Sequence, residues 1–496
     1  MRIQSHTVNG IPRSESGVAA VETKFPPLIL NLISGEWQPG GGAETPLLDK
    51  YTREPVSGIR AASADQVRQA AARAGAARSR APGPFQRGEI LDRAVAGVER
   101  QRAQFAYAMR VEAGFTEADA ANEITRCMQT LKLCAEEARR LCGEVVPLEG
   151  APNQAGRLAF TLRVPLGVVC AITPFNSPLN TVAHKVGPAF AAGNAVLLKP
   201  SRLTPWTANL FAQVLLEAGV PVDMLAVLHG GADVANCLLA EPSHFVAFTG
   251  STEVGRSIQS RIGLRRSQME LGSIAHVVVD ESADVPRAVP RIVGAGYRKA
   301  GQVCTSTQIL LVHRRRLDDV VSLMREQVAA LRYGDPSQQG CIVGPLIAEK
   351  EAVRVDEWIR EAVAQGAQPL VRGEREGAVL APSLLLETRP EMKVRQQEVF
   401  GPLVSIVPFD DFGAALAQVN GTPYGLAAGV FTNDMAHAML AARTLEVGSV
   451  HINEASSSRA DLMPFGGSKD SGFGKEGPAH AVREMSEERL VTIATA

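Results

Sequence analysis

The chain has 496 residues, 45% hydrophobic and 21% charged, and its 51 Lys and Arg against 52 Asp and Glu give a formal net charge of -1. This length allows two or three domains with a large buried core, which excludes a small disulfide-stapled module. The balanced charge argues against duplex nucleic acid and anionic membrane surfaces as partners.

The N-terminal stretch is polar and mixed, and we predict a loose tail over residues 1–30. It contains neither an apolar signal core nor an Arg-rich amphipathic pattern, and the chain has no run of about 18 apolar residues. The sequence therefore indicates a cytoplasmic protein. Seven cysteines without a C-x-x-C pair argue against disulfides and against a zinc site.

The first part of the folded body is predicted to be mostly helical. The stretch NLISGEWQPGG predicts a strand and turn near residue 31. From about 64 to 143 the chain is rich in Ala, Arg and Glu at helical spacing, which predicts long amphipathic helices. Cys127, Cys134 and Cys142 fall there at spacings of seven and eight residues, so we predict that all three lie on a buried helix face.

Short apolar runs alternate with helical segments from about residue 161. The runs GVVCAIT, NAVLLKP, MLAVLHG and HFVAFTG are typical of a parallel sheet buried on both faces. A second set follows residue 270, consisting of HVVVD, QILLV, CIVGP, LVSIVPF, AAGVFT and GSVHIN. The sequence thus predicts an α/β fold with two lobes.

Two strand ends carry residues suited to a phosphate-bearing ligand, because such ligands bind where parallel strands meet helix N-termini. HFVAFTGSTEVGRSIQS predicts a strand ending at Phe248, a turn from Gly250, and a helix from about Glu253. Its backbone N–H groups suit a pyrophosphate, although ordinary helix capping explains the same residues equally well. In GNAVLLKPSRLTP, Lys199 follows another strand end, where its cation can reach a ribose or a phosphate.

Three further residues are candidates for catalysis, although each has an ordinary structural explanation when taken alone. In CAITPFNSPLNTVAHK a strand runs into Asn176, whose amide suits an oxyanion or simply forms a turn, and Ser177 is predicted to cap the next helix. Glu270 precedes Leu-Gly and a new strand. Cys304 follows GQV in a stretch short of apolar neighbours, so its thiol is either an accessible nucleophile or one more small core residue.

These motifs occur in a fixed order along the chain: Asn176, Lys199, Gly250 to Gly255, MELGS with Glu270, GQVC with Cys304, QEVFGP, and MPFGGSKDSGFGKEG. Together they resemble the aldehyde dehydrogenase superfamily, over about residues 31–494. The resemblance implies an α/β aldehyde dehydrogenase-like fold in three parts. These are a Rossmann-type coenzyme domain (31–143 and 164–271), an α/β catalytic domain (272–475) and a small β oligomerisation element (144–163 and 484–496). Homodimers or homotetramers are implied as well.

The resemblance also implies a mechanism. The Cys304 thiolate attacks an aldehyde carbon, and the Asn176 amide and the Cys304 N–H hold the oxyanion. After hydride transfer to the nicotinamide, Glu270 deprotonates the water that hydrolyses the thioester to a carboxylic acid. The family's coenzyme-binding positions correspond to Ile172, Thr173, Pro174, Phe175, Lys199, Ser201, Arg202, Gly230, Phe248, Thr249, Gly250, Ser251, Val254, Gly255, Leu271, Glu398 and Phe400.

The coenzyme preference depends on Arg202. Many NAD-dependent members have an acidic residue three positions after the conserved lysine, which here is Lys199. A carboxylate repels the extra phosphate of NADP, whereas an Arg attracts it. We therefore expect NADP or NAD as coenzyme, and hypothesise that NADP is accepted and preferred. The alternative is an Arg that points to solvent while NAD binds through Lys199.

The helix after Asn176 is predicted to line the substrate tunnel with polar side chains at helical spacing, namely Ser177, Asn180, Thr181 and His184. A hydrophobic substrate would leave each of these polar groups without a hydrogen-bond partner, at a cost of about 1–3 kcal/mol per group. A small polar aldehyde is therefore expected, such as lactaldehyde, glycolaldehyde or a semialdehyde.

The loop INEASSSRADLMPFGG adds Arg459 and the aromatic Phe465 to the predicted tunnel. An Arg here resembles the lactaldehyde and glycolaldehyde dehydrogenase branch of the family. Its guanidinium is expected to bind either a substrate anion or a loop carboxylate such as Asp461. Val303 leaves the pocket beside the nucleophile neutral.

Three other functions fit parts of the pattern. A coenzyme A-acylating semialdehyde dehydrogenase lacks the base, and the presence of Glu270 argues against it. A catalytically silent structural protein on the same fold is disfavoured by the intact Cys304, Glu270 and Asn176. A thiol esterase reaction is expected only as a side activity of the same cysteine.

Overall fold

Two largely parallel sheets organise the protein in a computed structural model that describes residues 24–494. The strands are β1 (Leu28–Ile29), β2 (Asn31–Ile33), β3 (Glu36–Gln38), β4 (Glu44–Leu48), β5 (Pro55–Arg60), β6 (Val145–Val146), β7 (Arg157–Pro165), β8 (Val168–Ile172), β9 (Ala195–Lys199), β10 (Leu225–Val227), β11 (Phe245–Thr249), β12 (Arg266–Glu270), β13 (Ala275–Val279), β14 (Thr307–His313), β15 (Gln368–Val371), β16 (Arg375–Glu376), β17 (Val379–Leu380), β18 (Ser383–Leu386), β19 (Leu403–Phe409), β20 (Tyr424–Gly425), β21 (Ala427–Phe431), β22 (Ser449–Ile452), β23 (Ser468–Lys469), β24 (Gly472–Phe473) and β25 (Ser486–Ala494). The helices are α1 (Ala64–Ala77), α2 (Pro84–Arg100), α3 (Arg102–Ala113), α4 (Glu117–Arg140), α5 (Asn180–Ala191), α6 (Pro205–Ala218), α7 (Ala232–Ala240), α8 (Thr252–Ile262), α9 (Val285–Tyr297), α10 (Leu317–Ala329), α11 (Glu349–Ala364), α12 (Lys393–Gln396), α13 (Phe412–Asn420), α14 (Met435–Thr444) and α15 (Pro478–Glu484).

The first sheet has eight strands in the order β24-β12-β11-β8-β9-β10-β2-β3. Strands β12, β11, β8, β9 and β10 are parallel neighbours, and β8, β9 and β11 are buried at every residue. This confirms the parallel sheet predicted from the continuous apolar runs. The chain moves from β8 to β10 in one direction and from β11 to β12 in the other. The carboxyl ends of β8 and β11 therefore flank a topological switch point, where such sheets bind ligands.

The second sheet has seven strands in the order β15-β18-β19-β14-β13-β21-β22, all parallel except β15. One predicted strand is wrong, because the run CIVGP forms only an isolated bridge between Val343 and Tyr333. Gly344 and Pro345 follow directly and do not continue a ladder.

The predicted division between domains at 271/272 falls between β12 in the first sheet and β13 in the second. Strand β24 is an exception, because it lies in the predicted catalytic range but pairs with β12 at the edge of the first sheet. Helix α15 packs against α4 and α5 on the same side of the molecule. Strand β24, at the end of the predicted catalytic range, and helix α15, which follows that range, therefore both pack onto the predicted coenzyme domain.

Long helices cover residues 64–140, as predicted. Cys127 and Cys134 lie on the buried face of α4, but Cys142 is exposed. The prediction for Cys142 is wrong because α4 ends at Arg140, where the backbone of Leu141 turns to an extended conformation. The heptad-like spacing of the cysteines therefore extends past the end of the helix.

A third sheet, β25-β7-β6, stands apart from the other two. Strands β7 and β25 pair antiparallel from Arg157↔Ala494 to Pro165↔Ser486. Their exposed apolar side chains are Leu158, Leu162, Leu490 and Ile493. These are the segments predicted to form the oligomerisation element, and that role stays a prediction.

The tail predicted over residues 1–30 ends too late, because the chain already forms a strand before residue 30. Residues 1–23 lie outside the described residues. Leu28–Ile29 already pair with β5, and Ile29 is fully buried. Phe25 packs on Trp206 with ring centroids 4.2 Å apart. From 24 to 494 no helix is long and apolar enough to cross a membrane. Over the same range no three His, Cys, Asp or Glu side chains are grouped to hold a metal ion.

Candidate active site

A cavity of about 660 Å³ opens at the switch point between β8 and β11. Its wall contains Asn176, Glu270 and Cys304, the three residues predicted to act chemically. The predicted coenzyme residues that line it are Pro174, Phe175, Arg202, Thr249, Gly250, Ser251, Leu271, Glu398 and Phe400. The remaining predicted coenzyme residues lie on the adjoining strand ends, turns and helices, outside this lining: Ile172, Thr173, Lys199, Ser201, Gly230, Phe248, Val254 and Gly255.

Cys304 follows a strained turn that leads into β14. Lys299 and Ala300 have left-handed backbone conformations, with φ of 51° and 53°, which are costly for residues other than glycine. At Gly301 a Cβ atom would come within 2.0 Å of a backbone oxygen of the QEVFGP motif, so the turn is also tightly packed. This turn leaves the thiol half-buried in the cavity wall. Burial, and then the charge of Glu270, raise the pKa of Cys304 well above its usual range, so the resting thiol keeps its proton.

Glu270 is the last residue of β12, between Thr249 of β11 and Gly472 of β24. It is 4% exposed, and its Oε1 has no hydrogen-bond partner among residues 24–494. Burial, and then the neighbouring Glu476, raise the pKa of Glu270 to about 7, although Cys304 acts in the opposite direction. A carboxyl group with this pKa, next to a thiol, suits a general base near neutral pH.

Asn176 lies between β8 and α5, and its side-chain amide forms no hydrogen bond with another residue of the described range. The predicted capping of the next helix by Ser177 is wrong. Helix α5 begins at Asn180, and the Ser177 hydroxyl donates instead to Glu123 Oε1. The same oxygen accepts the Asn180 backbone N–H at 2.9 Å, so a carboxylate from α4 takes the place of the predicted cap.

A buried ion pair that the sequence did not reveal supports this turn. Lys299 Nζ lies 2.9 Å from Glu123 Oε2 and also donates to the Asn176 carbonyl oxygen at 2.9 Å. The ammonium group stands 4.3 Å from the ring centroid of Phe115. Although burial raises the pKa of Glu123, Lys299 and Ser177 outweigh it and hold that pKa below its usual value. The pair therefore connects the turn before the nucleophile to the turn that carries Asn176.

The far wall of the cavity is formed by the QEVFGP segment. Glu398 Oε1 accepts the Ser273 backbone N–H at 2.9 Å, and burial raises the pKa of Glu398 to about 7. Phe400 has a left-handed backbone with φ of 48°, and its ring meets Phe175 edge-on at 5.9 Å. Glu398 thus sits at a fixed place opposite the strand ends.

The predicted helix cap at the β11–α8 turn is confirmed, while pyrophosphate binding there stays a prediction. Ser251 is the N-cap of α8 and accepts the Val254 backbone N–H, while Gly250 and Ser251 also line the cavity. A Cβ atom on Gly255 would lie 2.4 Å from Leu271 Cδ2, so glycine permits close packing of α8 on the sheet. The turn is both a helix cap and part of the cavity wall.

Two cations stand at the end of β9. Lys199 is buried and donates to the Pro200 carbonyl oxygen at 3.2 Å, and burial lowers the pKa of Lys199 to about 8. Arg202 is exposed at the cavity rim, and no hydrogen bond or ion pair joins its guanidinium to the rest of the 24–494 range. An unpaired guanidinium at this rim fits a phosphate group. The turn between them is closed by Ser201 Oγ, which accepts the Leu203 backbone N–H.

The polar face of α5 does not present free side chains to a tunnel. Asn180 and His184 are buried, and both donate or share hydrogen bonds with Asp461 Oδ1, at 3.1 and 2.9 Å. Thr130 donates to Asn180 Oδ1 at 2.8 Å. Thr181 is buried as well. Asp461 thus forms hydrogen bonds with Asn180 and His184, two side chains that were expected to contact the substrate.

Arg459 forms an ion pair with Glu476 at 2.7 Å rather than with Asp461. Its guanidinium carbon lies 3.8 Å from the ring centroid of Phe465, which is a cation–π contact. Arg459 was expected to bind either a substrate anion or a protein carboxylate, and the structure shows a carboxylate, that of Glu476. A substrate anion would have to compete with Glu476 for this guanidinium.

Two further arginines near the nucleophile were not predicted, and of these Arg126 is already paired whereas Arg298 is not. Arg126 pairs with both oxygens of Asp461, at 2.7 and 3.2 Å. Arg298 is half-buried and makes no hydrogen bond or ion pair within the part of the chain described, although Arg126, Asp119, Cys304 and Glu123 all interact with it electrostatically. Burial, and then Arg126, lower the pKa of Arg298. The sequence shows that Arg298 lies six residues before Cys304, but it does not show that the side chain is half-buried.

The aldehyde dehydrogenase family model matches residues 37–491. A 3-sulfolactaldehyde dehydrogenase of Priestia megaterium is 42% identical over 463 residues, which cover 93% of this chain and 97% of that protein. A lactaldehyde dehydrogenase of Methanococcus maripaludis is 33% identical over 455 residues, or 90% of this chain and 96% of that protein. Aldehyde dehydrogenase 21 from Physcomitrella patens, solved with its reaction product succinate, superposes with a TM-score of 0.92 at 31% identity, covering 95% of this chain and 99% of that one.

Proposed function

This chain belongs to the aldehyde dehydrogenase family and is an NAD(P)-dependent oxidoreductase of aldehydes, and from that premise we propose that its substrate is a short aldehyde bearing an anionic group. The observation that carries the proposal is Arg298, a half-buried guanidinium close enough to Cys304 to interact with it electrostatically, which forms no hydrogen bond or ion pair within residues 24–494 although the charges of Asp119 and Glu123 act on it. The name of one relative, 3-sulfolactaldehyde dehydrogenase, supports a three-carbon hydroxyaldehyde with a sulfonate, and that of another, lactaldehyde dehydrogenase, supports the same carbon skeleton without the anion. The product is the corresponding carboxylic acid.

The site residues account for both halves of the reaction. Glu270 accepts the thiol proton, and the Cys304 sulfur forms a bond to the aldehyde carbon while the carbonyl π electrons move to oxygen. The Asn176 amide and the Cys304 N–H donate to that oxygen. When bound, the nicotinamide coenzyme accepts the hydride that leaves this carbon, and a thioester remains. Glu270 releases the thiol proton to solvent and then deprotonates a water that attacks the thioester, and the Cys304 sulfur leaves as a thiolate. Because this base is in place, neither acyl transfer to coenzyme A nor a silent structural role is favoured.

Turnover is expected to rise with pH across neutrality. The pKa of Glu270 is raised to about 7, so its carboxylate is present above that pH and is lost as the pH falls through it. Below this range kcat should fall by about tenfold per pH unit. Steady-state rates from pH 5.5 to 9 measure the profile, and Glu270→Gln should remove the inflection along with most of the turnover. A flat wild-type profile across this range would contradict the role of Glu270.

Arg298→Met is expected to raise KM for 3-sulfolactaldehyde by about 10–100-fold, the range of a lost charge-assisted hydrogen bond. KM for the neutral aldehyde glycolaldehyde should change little. Arg459→Ala is the matched comparison, because Glu476 already neutralises that guanidinium and its loss should affect both aldehydes alike. Equal losses for both aldehydes in Arg298→Met would refute anion binding there.

We also propose that NADP is the preferred coenzyme. Arg202 at the cavity rim and Lys199 behind it suit the additional phosphate of NADP, and Glu398 suits ribose hydroxyls on the opposite wall. A solved relative, the NADP-dependent glyceraldehyde-3-phosphate dehydrogenase of Bacillus halodurans, binds NADP; it superposes with a TM-score of 0.92 at 29% identity, covering 94% of this chain and 99% of that one. Arg202→Ser is expected to lower kcat/KM for NADP by about tenfold and to spare NAD. A strong NAD preference in the wild type would overturn the hypothesis.

We propose that the protein is cytoplasmic and that it forms a homodimer or a homotetramer. The exposed apolar side chains of β7 and β25 support association, since solvent-exposed strands of this kind pair readily with another chain. Sedimentation of the purified protein tests the oligomeric state.

A further inference from the structure

A second cavity, of about 430 Å³, lies behind the QEVFGP segment and shares no lining residue with the cavity that contains Cys304. The starts of β13 and β14, helix α12 and the end of α13 enclose it. Its lining contains His276, Arg395, Gln396, Gln418 and Thr422 among its polar residues, and neither Asp nor Glu.

Arg395 is the charged group in this lining, and it is only 7% exposed. One of its terminal nitrogens donates to the Thr388 carbonyl oxygen at 2.9 Å, whereas its Nε is buried with no partner in the described residues. No carboxylate within residues 24–494 forms an ion pair with it. A buried guanidinium without a counter-charge is strongly destabilising, and an anion that enters the cavity offsets this cost.

The surroundings of Arg395 are suited to an anion. His276 is buried. Burial, and then the charge of Arg395, lower the pKa of His276 to about 4, so the imidazole is neutral and adds no charge to the cavity. Lys469 lies near the cavity but outside its lining, where it donates to the Asn420 and Thr422 carbonyl oxygens, and its charge is shared with a carboxylate. Its own partner, Glu446, lies 3.2 Å away and outside the lining.

We propose that this cavity is a binding site for a small oxyanion, such as phosphate or a short carboxylate, held by the Arg395 guanidinium. The planar fork of Arg matches two oxygens of such an ion. Helix α12 carries Arg395 three residues before Glu398, and Gln308 bonds to the Val394 and Gln397 carbonyl oxygens on either side. An ion on Arg395 therefore stabilises the segment that positions Glu398. The site stands on its own residues and does not depend on the proposed substrate.

The test measures the melting temperature of the full-length protein at constant ionic strength while inorganic phosphate replaces chloride, with acetate in a parallel series. Phosphate is expected to raise the wild-type value by about 2 °C or more. Arg395→Met should lose most of that rise and should melt above the wild type in chloride alone. Lys393→Met is the control, because this exposed cation two residues away pairs with Glu361 and should leave the phosphate response unchanged.

Equal phosphate responses in the wild type and Arg395→Met would overturn the proposal, because the ion would then act elsewhere. If Arg395→Met does not fold, calorimetric titration of the wild type with phosphate in saturating NADP provides the second measurement. A binding isotherm under these conditions that is weakened by at least about tenfold in Arg395→Lys supports the site, since Lys lacks the planar fork. Absence of any phosphate binding, or the same affinity in both proteins, overturns it.

Discussion

Cys304→Ser is expected to lower kcat by at least about 1,000-fold for every aldehyde, because a serine hydroxyl beside Glu270 ionises far less readily than a thiol. Coenzyme reduction with a short aldehyde in excess measures the loss. Cys142→Ser is the matched control, since Cys142 is the exposed cysteine at the end of α4 and does not line the cavity that contains Cys304. Similar turnover in the two serine variants would contradict the assignment of the nucleophile.

Lys299→Met is expected to lower the free energy of unfolding by about 3–5 kcal/mol, because it leaves the Glu123 carboxylate buried without its partner. It should also lower kcat, because the Asn176 carbonyl loses the donor that holds its turn in place. Denaturant unfolding measures the first effect and steady-state rates the second. The double variant Glu123→Gln/Lys299→Met removes both charges and should recover part of the stability.

A double-mutant cycle separates positioning of Asn176 from general loss of structure. In the Asn176→Ala background the oxyanion donor is already gone, so Lys299→Met should cost little additional kcat. A full, additive loss of kcat in both backgrounds would show that Lys299 does not act through Asn176.

The chemistry of this site was predictable from the sequence because its central residues occur within short motifs at strand ends. Asn176 follows β8 and Glu270 ends β12, so a parallel sheet brings both to one edge. The position of Cys304 beside them follows from the resemblance to a family rather than from periodicity. The strained backbone before Cys304 has no signature in the sequence, because Lys299 and Ala300 are ordinary helix-forming residues.

Two differences between expectation and structure at the site share one physical cause, which is that side chains from distant segments compete for the same groups. Ser177 was expected to cap α5, but Glu123 from α4 accepts its hydroxyl and the first helical N–H. His184 was expected to face substrate, yet Asp461 accepts its hydrogen bond. A single sequence shows that these residues are polar, and the tertiary fold decides which partners satisfy them.

The pairing of β24 with β12 has a consequence for the order in which this enzyme is assembled. The strand that ends in Glu270 stays open on one side until residues 471–473 arrive, when Gly472 pairs with Glu270 and the Ser471 carbonyl oxygen accepts the Leu271 N–H. On the ribosome these residues emerge about 200 positions after Glu270, although Asn176 and Cys304 are made much earlier. The nucleophile is therefore synthesised before the segment that holds its base in place, so we expect a chain that stops before residue 471 to lack a fixed Glu270.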